Sequence, residues 1–201
     1  LRTEYDLADR PCGTEMVETK SNGQRTRIHT TRLKYDKYSN LEQFTERTGN
    51  QTHTSTYTYD TDNRTTEIRY DYTEPEGEGT EAAPCHKVTY AYDALGRIEK
   101  RTAAAGDHSY ETAYTFEAGD AGIYGSGATT PLVKAIAQGT GENAMNFEYA
   151  YDNRGNIVSE KRNGLTTTYA YDALGQLIRV DDPHENATWV YSYDRGGNIL
   201  S

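Results

Sequence analysis

One short phrase recurs through this chain and narrows what it can fold into. "YAYDALGRI" begins at Tyr90, "YAYDNRGNI" at Tyr149, "YAYDALGQL" at Tyr169 and "YSYDRGGNI" at Tyr191. A catalytic motif is needed once, whereas a motif that recurs is a building unit. Tyr-Asp pairs ahead of a turn-like stretch start at Tyr5, Tyr35, Tyr59, Tyr92, Tyr151, Tyr171 and Tyr193, at spacings of 30, 24, 33, 59, 20 and 22 residues. A degenerate copy, with Phe116-Glu117 for Tyr-Asp, divides the long gap into 24 and 35. A unit of about 20–24 residues with loop insertions fits the series.

Read in columns, the unit has a mechanical meaning. Tyr90 and Tyr92, Tyr149 and Tyr151, Tyr169 and Tyr171, and Tyr191 and Tyr193 alternate with period two, a strand signal. Asp93, Asp152, Asp172 and Asp194 then open Asp-x-x-Gly stretches ending at Gly96, Gly155, Gly175 and Gly197. Asp bonds the backbone ahead of it, and Gly takes the left-handed position of a type I turn with a bulge. The earlier copies put Asp9, Ser39 and Asn63 in the Gly column, and of these Ser39 alone is unsuited to positive φ. The next column is polar throughout, and the one after it is mostly apolar in the later copies. This register sets Tyr171 opposite Leu177 and Ala170 opposite Ile178, a cross-strand pairing of about 0.2–1 kcal/mol.

Each unit also turns at its far end. Asn163-Gly164 and Asn22-Gly23 read as two-residue hairpin loops, with looser versions near Gly49 and Gly106. Every unit is then two strands, and the chain is a long antiparallel meander. A lone hairpin is marginal in water, so stability must come from stacking like units.

Composition agrees. Leu, Ile, Val and Phe make up only 27 of 201 residues, a level that by itself suggests disorder. The 18 tyrosines supply the missing apolar surface, since each buried ring hides roughly 150–250 Å². Tyr and Thr both favour strands. The net charge of -10 argues against binding nucleic acid or an anionic membrane surface. No run of ~18 apolar residues predicts a membrane span, and no signal peptide is visible. The chain opens at Leu1 inside a repeat-like stretch, and we expect it to be a piece of a longer protein.

The expected organisation is degenerate repeats over 1–72, an acidic Gly/Pro loop over 73–87, and regular repeats over 88–201 with a Gly-rich insertion near 119–145. Within that insertion, Pro131 to Ala137 reads equally as helix or strand. Cys12 and Cys85 are too few for a disulfide framework, and sequence alone leaves their pairing open.

The repeated word Tyr-x-Tyr-Asp-x-x-Gly-Arg/Asn-Ile/Leu resembles the YD repeat of Rhs proteins. The match is close at 90–98, 149–157, 169–177 and 191–199. It loosens toward the N-terminus, where Thr3 and Leu33 replace the leading Tyr. The resemblance implies an all-β fold of stacked antiparallel β-hairpins forming a curved, shell-like sheet. It also implies a bacterial protein, secreted or on the cell surface, whose shell encloses a C-terminal toxin or effector domain. The partner so implied is the remainder of the same large polypeptide. Open sheet edges would allow self-association. The family's self-cleavage motif, Asp-Pro-x-Gly, is not carried over, because Asp182-Pro183 is followed by His184 and Glu185.

No residue pattern demands chemistry. The motif tyrosines read as ladder packing, with sugar stacking as the alternative, and a carbohydrate-binding or adhesive module is the rival function. The motif aspartates read as turn caps, because carboxylate pairs for hydrolysis converge in one cleft and these fall one per repeat. "DTDN" at 60–63 lacks the Gly and distal Glu of a calcium loop. Cys85-His86 has nothing beside it to complete a zinc site. Asn50, Asn63 and Asn186 begin Asn-x-Thr sequons, which matter only in a protein secreted by a eukaryote. Nucleophile-elbow, phosphate-loop and dinucleotide motifs are absent from the sequence. The reading is a non-enzymatic wall segment without metal or cofactor.

Overall fold

The alternating Tyr and Thr stretches form strands throughout. A computed structural model describes residues 1–73, 86–119, 127–139, 141 and 144–201. Fifteen strands follow one another in chain order in one antiparallel sheet. The chain divides into two units, Leu1–Tyr110 and Glu111–Ser201.

The first unit contains β1 (Arg2–Tyr5), β2 (Pro11–Thr19), β3 (Arg25–Tyr35), β4 (Leu41–Thr48), β5 (Gln51–Tyr59), β6 (Thr65–Thr73), β7 (His86–Tyr92), β8 (Ile98–Ala105) and the start of β9 (His108–Ala118). The second contains the rest of β9, then β10 (Thr129–Gln138), β11 (Met145–Tyr151), β12 (Ile157–Arg162), β13 (Leu165–Tyr171), β14 (Leu177–Asp182) and β15 (Ala187–Val190). The stretch Pro131 to Ala137, undecided from sequence, is strand. Pro131 sits where the β9–β10 register is irregular, a place that tolerates a residue with no N–H to give. Of the segment 73–87, Thr73 ends β6, and His86 and Lys87 open β7. Residues 74–85, Cys85 among them, lie outside the described residues, as do 120–126, 140, 142 and 143.

The Tyr-Asp turns have the expected form. Asp172 N–H donates to the Gln176 carbonyl at 2.9 Å, and Gly175 N–H donates to the Asp172 carbonyl at 3.1 Å. This closes a type I turn with Gly175 left-handed at φ 82°. The whole column is left-handed, from Asp9 (56°) and Asn63 (60°) to Gly197 (83°). Ser39, expected to resist this, also adopts it, at φ 71°. The surrounding hairpin imposes the turn, and the Arg10 guanidinium holds Ser39 Oγ at 2.9 Å.

The register departs from expectation by one residue. Tyr171 does face Leu177, but Ala170 faces Arg179 rather than Ile178. Ile178 is the extra residue of a β-bulge. The same step precedes the motif Tyr at Tyr5, Tyr35, Tyr59, Tyr92 and Tyr151. It has a packing consequence. A one-residue step exchanges the faces of a strand, so Val180 lies opposite Tyr169 and Arg179 faces away. The far turns differ from one another. Asn163 (φ 47°) and Gly164 (φ 90°) form the two-residue loop. At Asn22-Gly23 the loop has three residues, closed by Gly23 N–H on the Lys20 carbonyl at 2.9 Å.

Among the described residues no second layer covers either unit, substantial contacts running only between neighbouring strands. Among the described residues Val180 is the one buried apolar side chain, joined by Thr112 and Thr167. The tyrosine face is therefore half-covered by its own ladder and by nothing else within each unit.

Candidate functional site

The feature that repeats with the sequence is a joint between successive hairpins, built from four columns. The motif Asp ties its own turn. Asp93 Oδ1 accepts the N–H of Leu95 and of Arg97, both at 2.9 Å, and its Oδ2 accepts Arg97 Nε at 2.6 Å. Asp152 and Asp194 do the same with Asn156 and Asn198 as side-chain donors, at 2.9 and 2.8 Å. Asp6, Asp36 and Asp60 repeat it with Arg10, Asn40 and Arg64. Asp172 accepts from Leu174 N–H and Gln176 N–H. In six of the seven copies the polar column is thus Arg or Asn, a side-chain donor placed four residues on from the capped carboxylate, and Gln176 is the exception.

The motif Tyr ties its turn to the preceding one. The bulge leaves a backbone carbonyl beyond the end of the ladder, and the next unit's tyrosine hydroxyl reaches it. Tyr35 donates to the Pro11 carbonyl, Tyr59 to Leu41, Tyr92 to Thr65, Tyr151 to Val133, Tyr171 to Ile157 and Tyr193 to Leu177, all between 2.7 and 2.9 Å. Sequence reasoning assigned these rings to packing and missed the hydroxyl. The signal was present as the preference for Tyr over Phe, 18 to 3. In the degenerate copy, Phe116 has no hydroxyl to give.

Side chains reinforce the joint. The Arg10 guanidinium lies 4.5 Å from the Tyr35 ring centre, and Arg64 lies 4.7 Å from that of Tyr92. Asn40 Nδ2 donates to Asn63 Oδ1 of the next turn at 3.0 Å, and Arg154 donates to the Ala173 carbonyl at 2.8 Å. The turn Gly is constrained by these neighbours as well as by its φ. A Cβ on Gly197 would stand 3.3 Å from Gln176 Nε2, and one on Gly96 would stand 3.2 Å from an Arg64 nitrogen.

Residues 151–187 and 171–201 match the family model described as RHS Repeat. Residues 151–201 therefore carry Rhs/YD repeats. No match was found among curated proteins. Of solved structures, a porin-like protein from Bacteroides uniformis is 15% identical, over 87% of this chain and 83% of that one, with a TM-score of 0.33. That likeness is too low to support any inference.

Within the YD units the structure brings Tyr92, Tyr151, Tyr171 and Tyr193 onto carbonyls and leaves Tyr90, Tyr149, Tyr169 and Tyr191 half-covered beside them. Desolvation pushes the hydroxyl pKa up at Tyr59, Tyr92, Tyr149, Tyr151, Tyr169 and Tyr171, which keeps these groups protonated donors. The aspartates move down. At Asp6 and Asp60 the main cause is the N–H of Arg10 and Arg64, and at Asp152 and Asp194 it is the Asn side-chain amide. At Asp36 and Asp93 desolvation pushes upward and is outweighed by the bonds from Asn40 and Arg97. Asp181 is held at about 2, by Arg179 first and then by Thr188.

Other candidate chemistry is absorbed by turns. In the "DTDN" stretch, Asp60 Oδ1 accepts the N–H of Asp62 and of Arg64, as in every other unit. Asp182 caps its own turn through His184 N–H at 2.8 Å. Among the described residues no three metal-ligating side chains converge. The motif carboxylates stand one per turn, each accepting backbone N–H groups of its own turn.

Proposed function

We propose that these YD repeats form a section of wall in a secreted or surface-exposed bacterial shell that encloses an effector domain of the same polypeptide. A repeat-based structural role is what the family match supports; the cargo and the location are our reading. The single observation that carries it is the joint. Six tyrosine hydroxyls join one hairpin to the next and seven motif aspartates each cap their own turn, and among the described residues these groups do not converge in one cleft. Such a wall acts by exclusion and requires no catalytic group. The test is limited proteolysis of the full gene product. The segment following the repeats should resist cleavage while the wall is intact and become sensitive when motif tyrosines are replaced by Ala. Equal cleavage of both, or no following domain, would refute the proposal.

One observation favours a second reading, a carbohydrate-binding surface. A shallow groove of about 360 Å³ is lined by Tyr70, His86, Val88, Ala103, His108 and Tyr110 among others. Tyr70 and Tyr110 are exposed, unlike the motif rings from Tyr35 onward, and exposed aromatic rings are groups on which a pyranose can stack. Glycan binding that disappears in Tyr70→Ala and Tyr110→Ala, with the fold retained, would support this reading.

A further inference from the structure

The β2–β3 hairpin stands taller than the β4–β5 hairpin beside it. β4 turns back at Gly49 and Asn50, so its last pair with β3 is Thr48 with His29. From Arg25 to Ile28, β3 has β2 on one side and, among the described residues, no strand on the other. The backbone of this ledge is presented outward. Lys20 N–H donates to the Gln24 carbonyl at 2.9 Å. The next pair, Thr19 with Arg25, is therefore of the non-bonded kind, and so is Val17 with Arg27. The N–H and C=O of Arg25 and Arg27 point away from β2, to the side where β4 has ended.

A bulge gathers positive charge at the same place. Glu15 pairs with Thr30, and Thr30 with Arg47, which sets these three side chains on one face. At Ile28 the β2–β3 pairing steps by one residue, and Val17, on the face of Glu15, meets Arg27. Arg25 and Arg27 therefore share the face of Arg47, where an unbroken strand would turn them to the other side. All three are exposed. Arg27 pairs with Glu15 and its side chain is still 63% exposed. Glu18 lies opposite Thr26, on the other face. The step beside the ledge is a cleft of about 410 Å³ lined by Arg27, Ile28, Thr30, Arg47 and Asn50 among others.

We propose that this ledge takes an acidic, extended segment of a separate polypeptide as an added strand. The backbone of the segment pairs with Arg25 and Arg27, as in other cases of strand addition to an open edge. Its carboxylates, at every second residue, fall on one face and meet Arg25, Arg27 and Arg47. Charge selects the occupant. The chain as a whole carries -10, and three guanidinium groups around one open edge run against that balance. Edge and charge together favour a peptide, since an anion without a backbone to pair leaves the ledge unused. Whether the wall encloses a cargo does not enter the argument.

The test is fluorescence anisotropy on the 201-residue chain with a labelled peptide of alternating Glu and Thr, about eight residues long. It should bind, more weakly as salt rises, and a peptide with Lys for Glu should not. Arg25→Gln, Arg27→Gln and Arg47→Gln should each weaken binding by about two- to fivefold, with the circular dichroism unchanged. Strand pairing uses alternate N–H groups of the peptide. Of two peptides N-methylated at alternate residues, the one with methyls on the pairing edge should bind about tenfold more weakly than the other. Amide exchange at Arg25 and Arg27 should slow in the complex. Equal binding of the two methylated peptides would mean charge attraction without pairing and would overturn the proposal. So would equal binding of the Lys peptide, or no binding of the Glu peptide. Self-association of the chain that Arg25→Gln abolishes would give the ledge to a second copy and overturn it as well.

Discussion

Ser39 shows how strongly the turn dictates its residues. A side chain with a Cβ costs about 1–2 kcal/mol in the left-handed region, yet this serine occupies it at φ 71°. Ser39→Gly should therefore raise stability by about 0.5–1 kcal/mol, the backbone gain being reduced by loss of the Arg10 bond. The converse holds at Gly175, whose missing Cβ would meet nothing within 4 Å. Gly175→Ala isolates the backbone cost and should destabilise by about 1–2 kcal/mol in urea unfolding. A loss of stability in Ser39→Gly, or none in Gly175→Ala, would mean that φ does not govern the column. The aspartates add a pH dependence. Their pKa values lie below the ordinary 3.8, so their contribution is fully present above that value. It is lost as pH falls through the lowered values, down to about 2 for Asp181. The thermal midpoint, followed by circular dichroism, should be flat down to about pH 4 and fall steeply between there and pH 2. A midpoint that rises on acidification would contradict the capping role.

At the scale of the element, the sequence and the structure part company at the bulge. The turn was legible because every one of its bonds is local: Asp to i+2 and i+4, and a left-handed residue at a fixed place. The bulge was not. Nothing in "GQLIRV" says that Ile178 is extra, since apolar residues at Leu177 and Ile178 read equally well as paired neighbours. What decides it is nonlocal. Tyr169 needs an apolar partner on its own face, and Val180 meets that need only if one residue is skipped. The hydroxyl joints left only the preference for Tyr over Phe as a trace in the sequence, because each accepting carbonyl belongs to another unit. Deleting Ile178 should show that the bulge is required. Without it Arg179 would face the tyrosines and Val180 would turn away. Unfolding should cost about 0.5–3 kcal/mol less, because the tyrosine ladder would lose its apolar partner and gain the Arg179–Asp181 pair in its place. Unchanged stability on deletion would mean that the register is free to slip.

Each unit of the molecule lacks a core in the ordinary sense. With one buried aliphatic among the described residues, cohesion comes from ladders of half-buried rings and from bonds between neighbours. Folding therefore hides less surface than in a packed protein of this length, and the urea m-value should fall below that of a globular chain of 201 residues. The fold class was readable because a strict repeat leaves few ways to satisfy so many tyrosines. The linkage of unit to unit through hydroxyls is the part that the coordinates add. Its most direct test is a paired Tyr→Phe series measured by urea unfolding. Tyr59, Tyr92, Tyr151, Tyr171 and Tyr193 should each lose about 1 kcal/mol on becoming Phe, whereas Tyr57, Tyr90, Tyr149, Tyr169 and Tyr191 should change little. Equal losses in the two columns would show that the rings, and not their hydroxyls, hold the hairpins together.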